Sequence, residues 1–355
     1  MALKPPVEVP QGAIRLNTDS QKLEFYAQDQ WWEMATDVPN FGGNGNAATS
    51  PTGNSAEQSS GARGLFMGGS PTTHGNTVEY INIPTAGDAI DFADLTENRK
   101  YCSAVSSRTR GVVAGGENPS GKQDEIEYVT IATTGTLSDF GNLLAGRTYL
   151  SCAGNQTRGI IAGGNPGVAP NPAAYDNVIQ YVTIASTGDS KDFGDLTQDN
   201  SNQGGTASPT RAIFAGGADW PALKKDIDYV TIATTGNASD FGDLLTTQCL
   251  NNGASSSTRA VYSSGSQSPY VDMEYITFAT KGDSTNFGDS TVAIGWKTGT
   301  SDTIRGVFGG GQSPTTTDVI DYIQIATQGN AVDFGNLITN QHLSGGACSS
   351  NHGGL

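Results

Sequence analysis

A six-fold internal repeat constrains this 355-residue chain more than any other feature of its sequence. Each copy begins with arginine and runs through Gly-Gly and a variable segment to acid-Tyr-Val-Thr-Ile-Ala-Thr-x-Gly, then ends near Asp-Phe-Gly-Asp-Leu; the fifth copy departs from this pattern with Ser263-Ser264-Gly265 and Asn286. Three residue types keep this order: the arginines Arg63, Arg110, Arg158, Arg211, Arg259 and Arg305; the tyrosines Tyr80, Tyr128, Tyr181, Tyr229, Tyr275 and Tyr322; and the phenylalanines Phe92, Phe140, Phe193, Phe241, Phe287 and Phe334. Successive arginines are 47, 48, 53, 48 and 46 residues apart, which indicates one supersecondary unit copied in tandem.

Each copy has the pattern of four short β-strands. In the second copy, residues 110–116 are a β-branched segment that ends at a double glycine, and residues 126–133 alternate apolar and polar side chains as a half-buried strand does. Gly135 supplies a turn, and residues 139–143 form a short fourth strand. Residues 150–154, ahead of the next arginine, are small enough to pack closely. The 47 glycines suit many short strands joined by tight turns.

Four strands per copy, a period of about 50 residues and a Gly-Gly that closes the second strand resemble the kelch type of propeller blade. WD repeats are shorter, and their Gly-His and Trp-Asp signatures do not occur in this chain. A solenoid of β-coils is the main structural alternative, but its repeats are usually about half this length. The sequence therefore predicts an all-β fold: a six-bladed kelch-like β-propeller with a small N-terminal β-meander module.

Three segments are predicted: an N-terminal β module at residues 1–42, a Gly/Asn/Ser/Thr-rich linker at 43–58, and the six-repeat propeller at 59–355. Residues 12–35 have the pattern of a three-stranded meander. Partial copies of the repeat occur at both ends, since residues 39–42 resemble the Asp-Phe-Gly fragment and 347–351 resemble the strand before an arginine. We therefore expect one strand to be shared across the ring closure, which removes exposed sheet edges.

The repeated arginine and the acids of Asp-Phe-Gly-Asp, such as Arg211 with Asp240 and Asp243, suggest one charge-assisted fork per blade that pins its strands together. A residue type present in every blade serves the architecture, so these six arginines are interpreted as structural. The alternative is that the Asp-x-x-Asp groups bind calcium, although no copy has the dense spacing of an EF-hand loop. The repeated tyrosines and phenylalanines are interpreted as core or inter-blade packing.

The segments that follow Gly-Gly differ most between copies, and function in propellers lies in such variable loops. The third is the longest, and the fourth carries Trp220. Aromatic side chains dominate binding hot spots, so we expect Tyr175, Trp220 and Tyr270 to be the anchors if this face holds a partner. Exposed loop residues that pack on their neighbours are the alternative interpretation.

Several functional classes are disfavoured. The formal net charge of −16 would repel nucleic acid and anionic membranes. We expect no secretory signal and no membrane insertion, because no long apolar segment occurs. The four cysteines are far apart and the three histidines form no ligand pair, so no metal, cofactor or disulfide framework is predicted. Residues 116–122 resemble a phosphate-binding loop, but Gln123 replaces its Ser or Thr. The sequence therefore does not favour an enzyme.

The N-terminal module concentrates the aromatic residues Phe25, Tyr26, Trp31 and Trp32 in a short segment, which favours attachment to another protein or self-association as a homo-oligomer. The segments 12–19, 22–26 and 31–32 resemble β segments of bacteriophage tail-fibre and other virion appendage proteins. Residues 229–244 are similar to repeats of structural proteins in marine and cyanobacterial phages. The resemblance covers nearly the whole chain and implies a virion protein assembled in the host cytoplasm.

The leading hypothesis from the sequence is a non-enzymatic tail or fibre component whose propeller binds other virion proteins or a host-surface glycan or receptor. Capsid decoration is the alternative within the same class. A carbohydrate-binding or carbohydrate-active propeller and a cellular kelch-like scaffold are the alternatives outside it.

Overall fold

The computed structural model describes residues 14–17, 22–27, 30–33, 62–69, 74–167, 175–249, 253–312, 315–339 and 346–355. The chain divides into two compact units, Met1–Ser50 and Pro51–Leu355. The predicted linker and the partial repeat at residues 39–42 lie outside the described residues. The boundaries at residues 42 and 58 therefore stay predictions.

The N-terminal unit contains a three-stranded antiparallel sheet, which confirms the predicted meander. Its strands are β1 (Ile14–Asn17), β2 (Lys22–Ala27) and β3 (Gln30–Glu33), with β2 in the centre. The register pairs Tyr26 with Trp31 and Phe25 with Trp32 across β2 and β3. All four aromatic residues predicted for attachment thus lie in two adjacent strands.

The second unit is a six-bladed β-propeller, and no helix occurs among its described residues. Each blade is a four-stranded antiparallel sheet, with strands A to D from the axis outward. Blades 1 to 3 are β31 (Gly346–Ser349), β4 (Arg63–Met67), β5 (Gly75–Asn82) and β6 (Ile90–Arg99); β7 (Ser103–Ser106), β8 (Arg110–Ala114), β11 (Glu125–Thr130) and β12 (Ser138–Asn142); and β13 (Ser151–Gly154), β14 (Arg158–Ala162), β15 (Val178–Thr183) and β16 (Lys191–Asp195).

Blades 4 to 6 repeat the arrangement with β17 (Gly204–Ala207), β18 (Arg211–Ala215), β21 (Asp226–Thr231) and β22 (Ser239–Asp243); β23 (Ala254–Ser255), β24 (Arg259–Ser263), β25 (Asp272–Thr277) and β26 (Thr285–Asp289); and β27 (Thr298–Ser301), β28 (Arg305–Gly309), β29 (Val319–Gln324) and β30 (Val332–Asn336). Two small hairpins lie between strands B and C of blades 2 and 4: β9 (Glu117–Asn118) with β10 (Gly121–Lys122), and β19 (Ala218–Asp219) with β20 (Ala222–Leu223).

The ring closes through a shared blade, as the partial copy at the C-terminal end predicted. Strand β31 pairs antiparallel with β4, so that Cys348 lies opposite Leu65 and Ala347 opposite Phe66. Blade 1 therefore takes strand A from the end of the chain and strands B to D from its beginning. The ring cannot open at this point without breaking a sheet, and β4 keeps no free edge.

Apolar side chains pack within and between the blades. One buried cluster joins Leu65 and Val78 of blade 1 with Val113 and Val129 of blade 2, and similar clusters follow around the ring. In every blade, the repeat tyrosine meets the repeat phenylalanine edge to face, with ring centroids 5.8–6.0 Å apart. The phenylalanines are buried in the core of each blade and the half-buried tyrosines pack against it, which agrees with the predicted packing role. Edge-to-face pairs add stability beyond the area they bury.

The repeated arginine connects neighbouring blades. Each guanidinium lies 4.3–5.1 Å from the centroid of its own blade's tyrosine. Each also donates a hydrogen bond of 2.5–3.1 Å to a backbone carbonyl of the next blade; the acceptors are Ile131, Ile184, Ile232, Phe278, Ile325 and Ile83 in ring order. Among the described residues none of the six forms an ion pair, so the expected fork to Asp240 and Asp243 was wrong. The guanidinium instead contacts the face of its own blade's tyrosine ring and donates to a backbone carbonyl oxygen of the next blade.

In blades 2 to 6 the outer strands are also joined to the next blade, through the glycine of Asp-Phe-Gly-Asp; blade 1 has Ala93 at this position. Gly141 has a φ of +142°, and an added Cβ would lie 2.5 Å from the carbonyl carbon of Gly188 in the next blade. This close approach lets the Gly188 N–H donate to the Phe140 carbonyl at 2.6 Å. Only glycine permits both the conformation and the approach at position 141.

We predict that replacing a repeat arginine loosens the ring. Arg110→Met would remove the 2.9 Å bond to the Ile184 carbonyl and the contact with Tyr128. Urea unfolding should show a loss of about 2 kcal/mol in the free energy of unfolding. Arg108→Met is the matched control, because Arg108 is exposed two residues away. Equal effects of the two substitutions would contradict the inter-blade role.

Candidate functional site

The antiparallel blades give the propeller two different faces. The B–C loops and the D–A segments lie on one face, which we call the loop face, while the A–B turns and C–D turns lie on the other. The two kinds of loop contact each other through backbone bridges that pair Lys100 with Glu117, Thr148 with Asn165, and Ser201 with Ala218. The B–C loops of blades 2, 3 and 4 are therefore each joined by backbone hydrogen bonds to the preceding D–A segment.

The described residues enclose a small cavity on the axis of the propeller. It has a volume of about 40 Å³ and is lined by small residues of all six A strands, among them Ala104, Thr206 and Thr300. This is room for roughly three water molecules. A ligand the size of a sugar or nucleotide does not fit inside, since such ligands occupy pockets of roughly 300–1,000 Å³. A larger partner must therefore be bound outside this cavity.

The last residues of the chain close the channel opposite the loop face. The His352 ring pairs with the Ser106 carbonyl through Nε2 at 2.9 Å, and its Nδ1 accepts the Gly354 N–H at 3.1 Å. A carbonyl partner on one nitrogen and an N–H partner on the other require the neutral ring with its proton on Nε2. Burial lowers the pKa of His352 from 6.5 to about 4.

We predict that this histidine makes the fold acid-sensitive. Its pKa is lower in the folded protein, so its contribution is present above pH 6.5 and is lost as pH falls from 6.5 to about 4. The loss should be on the order of 1–3 kcal/mol. Calorimetry at pH 7 and pH 4.5 should show a smaller drop in Tm for H352Q than for the natural chain. An unchanged pH dependence in H352Q would refute the assignment.

Aromatic residues surround the loop-face end of the axis. Tyr101, Tyr149 and Trp296 occupy one repeat position, nine residues before the arginine, and Asn202 occupies it in blade 4. All four have φ between 52° and 64°, in the left-handed region. Asparagine tolerates this conformation, but bulky side chains adopt it rarely and at a cost. The surrounding structure must therefore hold these aromatic residues in place.

Tyr101 and Tyr149 form a pair on this face. Their ring centroids are 4.2 Å apart, and the Lys100 ammonium lies 4.8 Å from the Tyr101 ring and 3.2 Å from the Glu117 carboxylate. Burial, the hydrogen bond with Tyr101 and the nearby Glu117 raise the pKa of Tyr149 above its ordinary value. The pair is half-buried, so it offers an aromatic surface bordered by one cation and one carboxylate.

The three anchors predicted from the sequence all lie in B–C loops, but they are not brought into one cluster. Tyr175 is half-buried; burial and the nearby Cys249 and Asp219 raise its pKa. Trp220, next to Asp219, is 50% exposed at the tip of the β19–β20 hairpin. Tyr270 also has a positive φ, and its ring packs near Gly295 of the following D–A segment.

Sequence reasoning missed Tyr101, Tyr149 and Trp296. A signal existed, because three of the six copies place an aromatic residue nine positions before the arginine, where the other copies have Asn202, Leu250 and, across the closure, Ser344. The segment has constant length in every repeat, so it did not stand out as a variable loop. The predicted arginines lie in strands B, away from these rings.

A buried polar side chain beneath each D–A segment supports the loop face. The residue before the repeat tyrosine is at most 3% exposed in every blade: Glu79, Glu127, Gln180, Asp228, Glu274 and Asp321. Most of them accept a backbone N–H from the preceding blade; Thr96 donates to Glu127 at 3.0 Å, for example. Buried cations neutralise two of the acids, through the Arg99–Glu127 and Lys297–Asp321 pairs. Each D–A segment is thus tied to the neighbouring blade.

Asp228 has no such cation among the described residues, and burial raises its pKa above 3.8. Thr197 donates to it through both its N–H and its hydroxyl. A raised pKa means that the folded state favours the protonated acid, so the stability contribution is complete below pH 3.8 and is lost as pH rises through the folded pKa. The natural Gln180 places a neutral amide at the equivalent position of blade 3, where its Oε1 accepts the Leu144 N–H at 3.0 Å.

We therefore predict that D228N is more stable than the natural chain at pH 7, by about 1 kcal/mol. The difference should shrink as pH falls toward 3.8, because the natural carboxyl becomes neutral too. Urea denaturation at several pH values measures it. Asp192→Asn is the control and should show no such trend, because Asp192 is exposed and lies opposite the neutral Gln180 in blade 3. A D228N protein that is less stable at every pH would overturn the reasoning.

The described residues hold no group of three or more His, Cys, Asp or Glu side chains arranged for a metal ion. The four cysteines are free and buried. No helix long and apolar enough to cross a membrane is found in the described part of the chain. No protein-family model matches this chain, and a search of curated proteins finds no match either.

Proposed function

We propose that this protein is a non-enzymatic binding component of a bacteriophage virion, part of a tail or fibre, which holds a partner on the loop face of its propeller. The observation that carries the binding role is backbone strain on that face. Tyr101, Tyr149, Asn202, Tyr270 and Trp296 adopt left-handed conformations at a cost of order 1–3 kcal/mol each. Four of the five are aromatic, the residue class that dominates binding hot spots.

The small axial cavity supports the same choice of surface. Its volume of about 40 Å³ is too small for a sugar or nucleotide, and His352 lines it on the side opposite the loop face. The loop face has the half-buried Tyr101–Tyr149 pair and the exposed Trp220 instead. A macromolecular surface, rather than a small molecule enclosed within the ring, is the partner that suits this face.

The virion assignment rests on the resemblance of residues 12–32 and of the repeat to phage appendage proteins. The division into two compact units agrees with it, because a separate meander can attach the chain while the propeller meets its partner. In this proposal Phe25, Tyr26, Trp31 and Trp32 provide the attachment. The partner is another virion protein or the host surface, and the net charge of −16 disfavours nucleic acid.

A carbohydrate-binding role is the second candidate, favoured by the Tyr101–Tyr149 pair with Lys100 and Glu117 at its border. An aromatic surface with hydrogen-bonding groups beside it is suited to a sugar ring. Capsid decoration is the alternative within the virion. Location in the particle and the effect of the tyrosine pair distinguish these roles.

Immunogold electron microscopy of phage particles, with an antibody to the propeller, tests the proposal. Label at the tail or its fibres is expected; label over the head would favour capsid decoration, and antigen found only in cells would refute the virion assignment. The double variant Y101N/Y149N, which copies the natural Asn202 of blade 4, should keep its Tm but bind its target at least tenfold more weakly. Ile304→Asn, on the opposite face, is the control and should bind normally.

A further inference from the structure

The blades alternate at one position on the rim of the loop face. The residue that follows Asp-Phe-Gly-Asp-Leu is threonine in blades 1, 3 and 5 and aliphatic in blades 2, 4 and 6; the sets are Thr96, Thr197 and Thr291, and Leu144, Leu245 and Ile338. The three aliphatic residues are 53%, 53% and 52% exposed. Large apolar side chains at half exposure on every second blade form a pattern that the six-fold architecture does not require.

The threonines have a structural role. The Thr197 hydroxyl donates to Asp228 at 2.8 Å, and that of Thr291 donates to Asp321. In the blades that follow an aliphatic residue, the buried polar side chain receives its hydroxyl from elsewhere; Ser190 donates to Gln180 at 2.6 Å and Ser284 to Glu274 at 2.5 Å. The buried side-chain oxygens of Gln180 and Glu274 therefore receive hydrogen bonds without any contribution from the aliphatic side chains. The hydrogen bonding inside the propeller gives no reason for the exposure of these side chains.

A second position alternates in the same way. After the glycine of the C–D turn, odd blades have Asp88, Asp189 and Asp283, and even blades have Thr136, Asn237 and Asn330. Asp189 and Asn237 accept the same backbone hydrogen bond, at 2.9 and 3.1 Å. Aspartate and asparagine make the same bond at five of the six positions, all but Thr136, so the alternation between these two residue types does not come from local geometry. It indicates a two-blade unit present three times, and hence a pseudo-threefold axis along the propeller.

The aliphatic residues follow this axis. They occupy equivalent positions where strand D passes into the D–A segment, on alternate blades, so they are about 120° apart on one face. One half-exposed leucine contributes on the order of 100 Å² or less, against about 800 Å² per partner in a stable interface. A partner that buries only one of these side chains gains little binding free energy, whereas a partner with three equivalent pockets buries all three at once.

We propose that the loop face docks coaxially onto a homotrimeric virion protein, with Leu144, Leu245 and Ile338 each entering the same apolar pocket on one of its three subunits. The proposal rests on the virion function proposed above. A threefold partner matches the pseudo-threefold ring with one propeller per trimer, because a closed symmetric oligomer presents the same surface three times. Trp220 and the tyrosine pair lie on the same face and add contacts outside the threefold pattern.

The test adds purified full-length protein back to phage particles made without this chain. The triple variant L144T/L245T/I338T carries the residue that odd blades already have, so it should keep the natural Tm. The control variant I90T/I304T/V332T removes three aliphatic side chains that are 52–60% exposed on the opposite face. We expect the first variant to bind at least 100-fold more weakly, each single substitution to weaken binding severalfold, and the control variant to bind as the natural chain does.

Cryo-electron microscopy of particles carrying the natural chain gives an independent measurement. One propeller centred on the threefold axis of a trimer is expected, and three propellers per trimer or an off-axis position would overturn the proposal. Undiminished binding of the folded L144T/L245T/I338T variant would overturn it too, and so would release of the bound protein by soluble host polysaccharide. If the natural chain neither binds particles nor occurs in them, the virion function itself fails, which is a different result.

Discussion

The hydrogen bond from each repeat arginine to a carbonyl of the next blade is the interaction on which the ring depends. The bond recurs six times, and Arg305 completes the circle by reaching the Ile83 carbonyl of blade 1. Each guanidinium also covers its own tyrosine, which orients it toward the neighbour. Strand β31 completes blade 1 across the chain ends, so the arginine contacts and the sheet both run without interruption around the axis.

The fold could be predicted from the sequence because the same four-strand pattern occurs six times. The partial copy at residues 347–351 also predicted how the ring closes. The hydrogen-bond partner of the arginine could not be predicted in this way. Acids such as Asp240 and Asp243 are visible in the repeat, whereas every residue has a backbone carbonyl and the sequence does not show which one accepts the bond. A left-handed backbone conformation can be predicted where the residue is glycine. Gly115 and Gly116, for example, both have positive φ. Where a tyrosine has a positive φ, the residue type predicts an ordinary negative φ instead, so the sequence does not reveal the strain.

That difference explains why the candidate site was found only in part. Tyr175, Trp220 and Tyr270 lie in loops whose length and composition vary, so they could be predicted as exposed anchors. Tyr101 and Tyr149 lie in a segment of constant length, and their importance comes from strained backbone and from each other's rings. The strain is sustained because buried side chains such as Glu127 tie these segments to the next blade.

The hydrogen bonds of the buried polar residues are compatible with the alternation of threonine and aliphatic residues between odd and even blades. Asp228 takes a hydroxyl from the preceding Thr197, whereas Glu274 takes one from Ser284 of its own C–D turn. Where a serine of the C–D turn supplies the hydroxyl, the buried acid does not need a threonine after strand D of the preceding blade. The side chain of Leu245 therefore has no role in this internal hydrogen bonding. At half exposure it loses part of the benefit of burial in the isolated chain, and contact with a partner would restore it. The internal hydrogen bonding thus leaves three positions on one face, a third of a turn apart, open to selection by whatever the propeller binds.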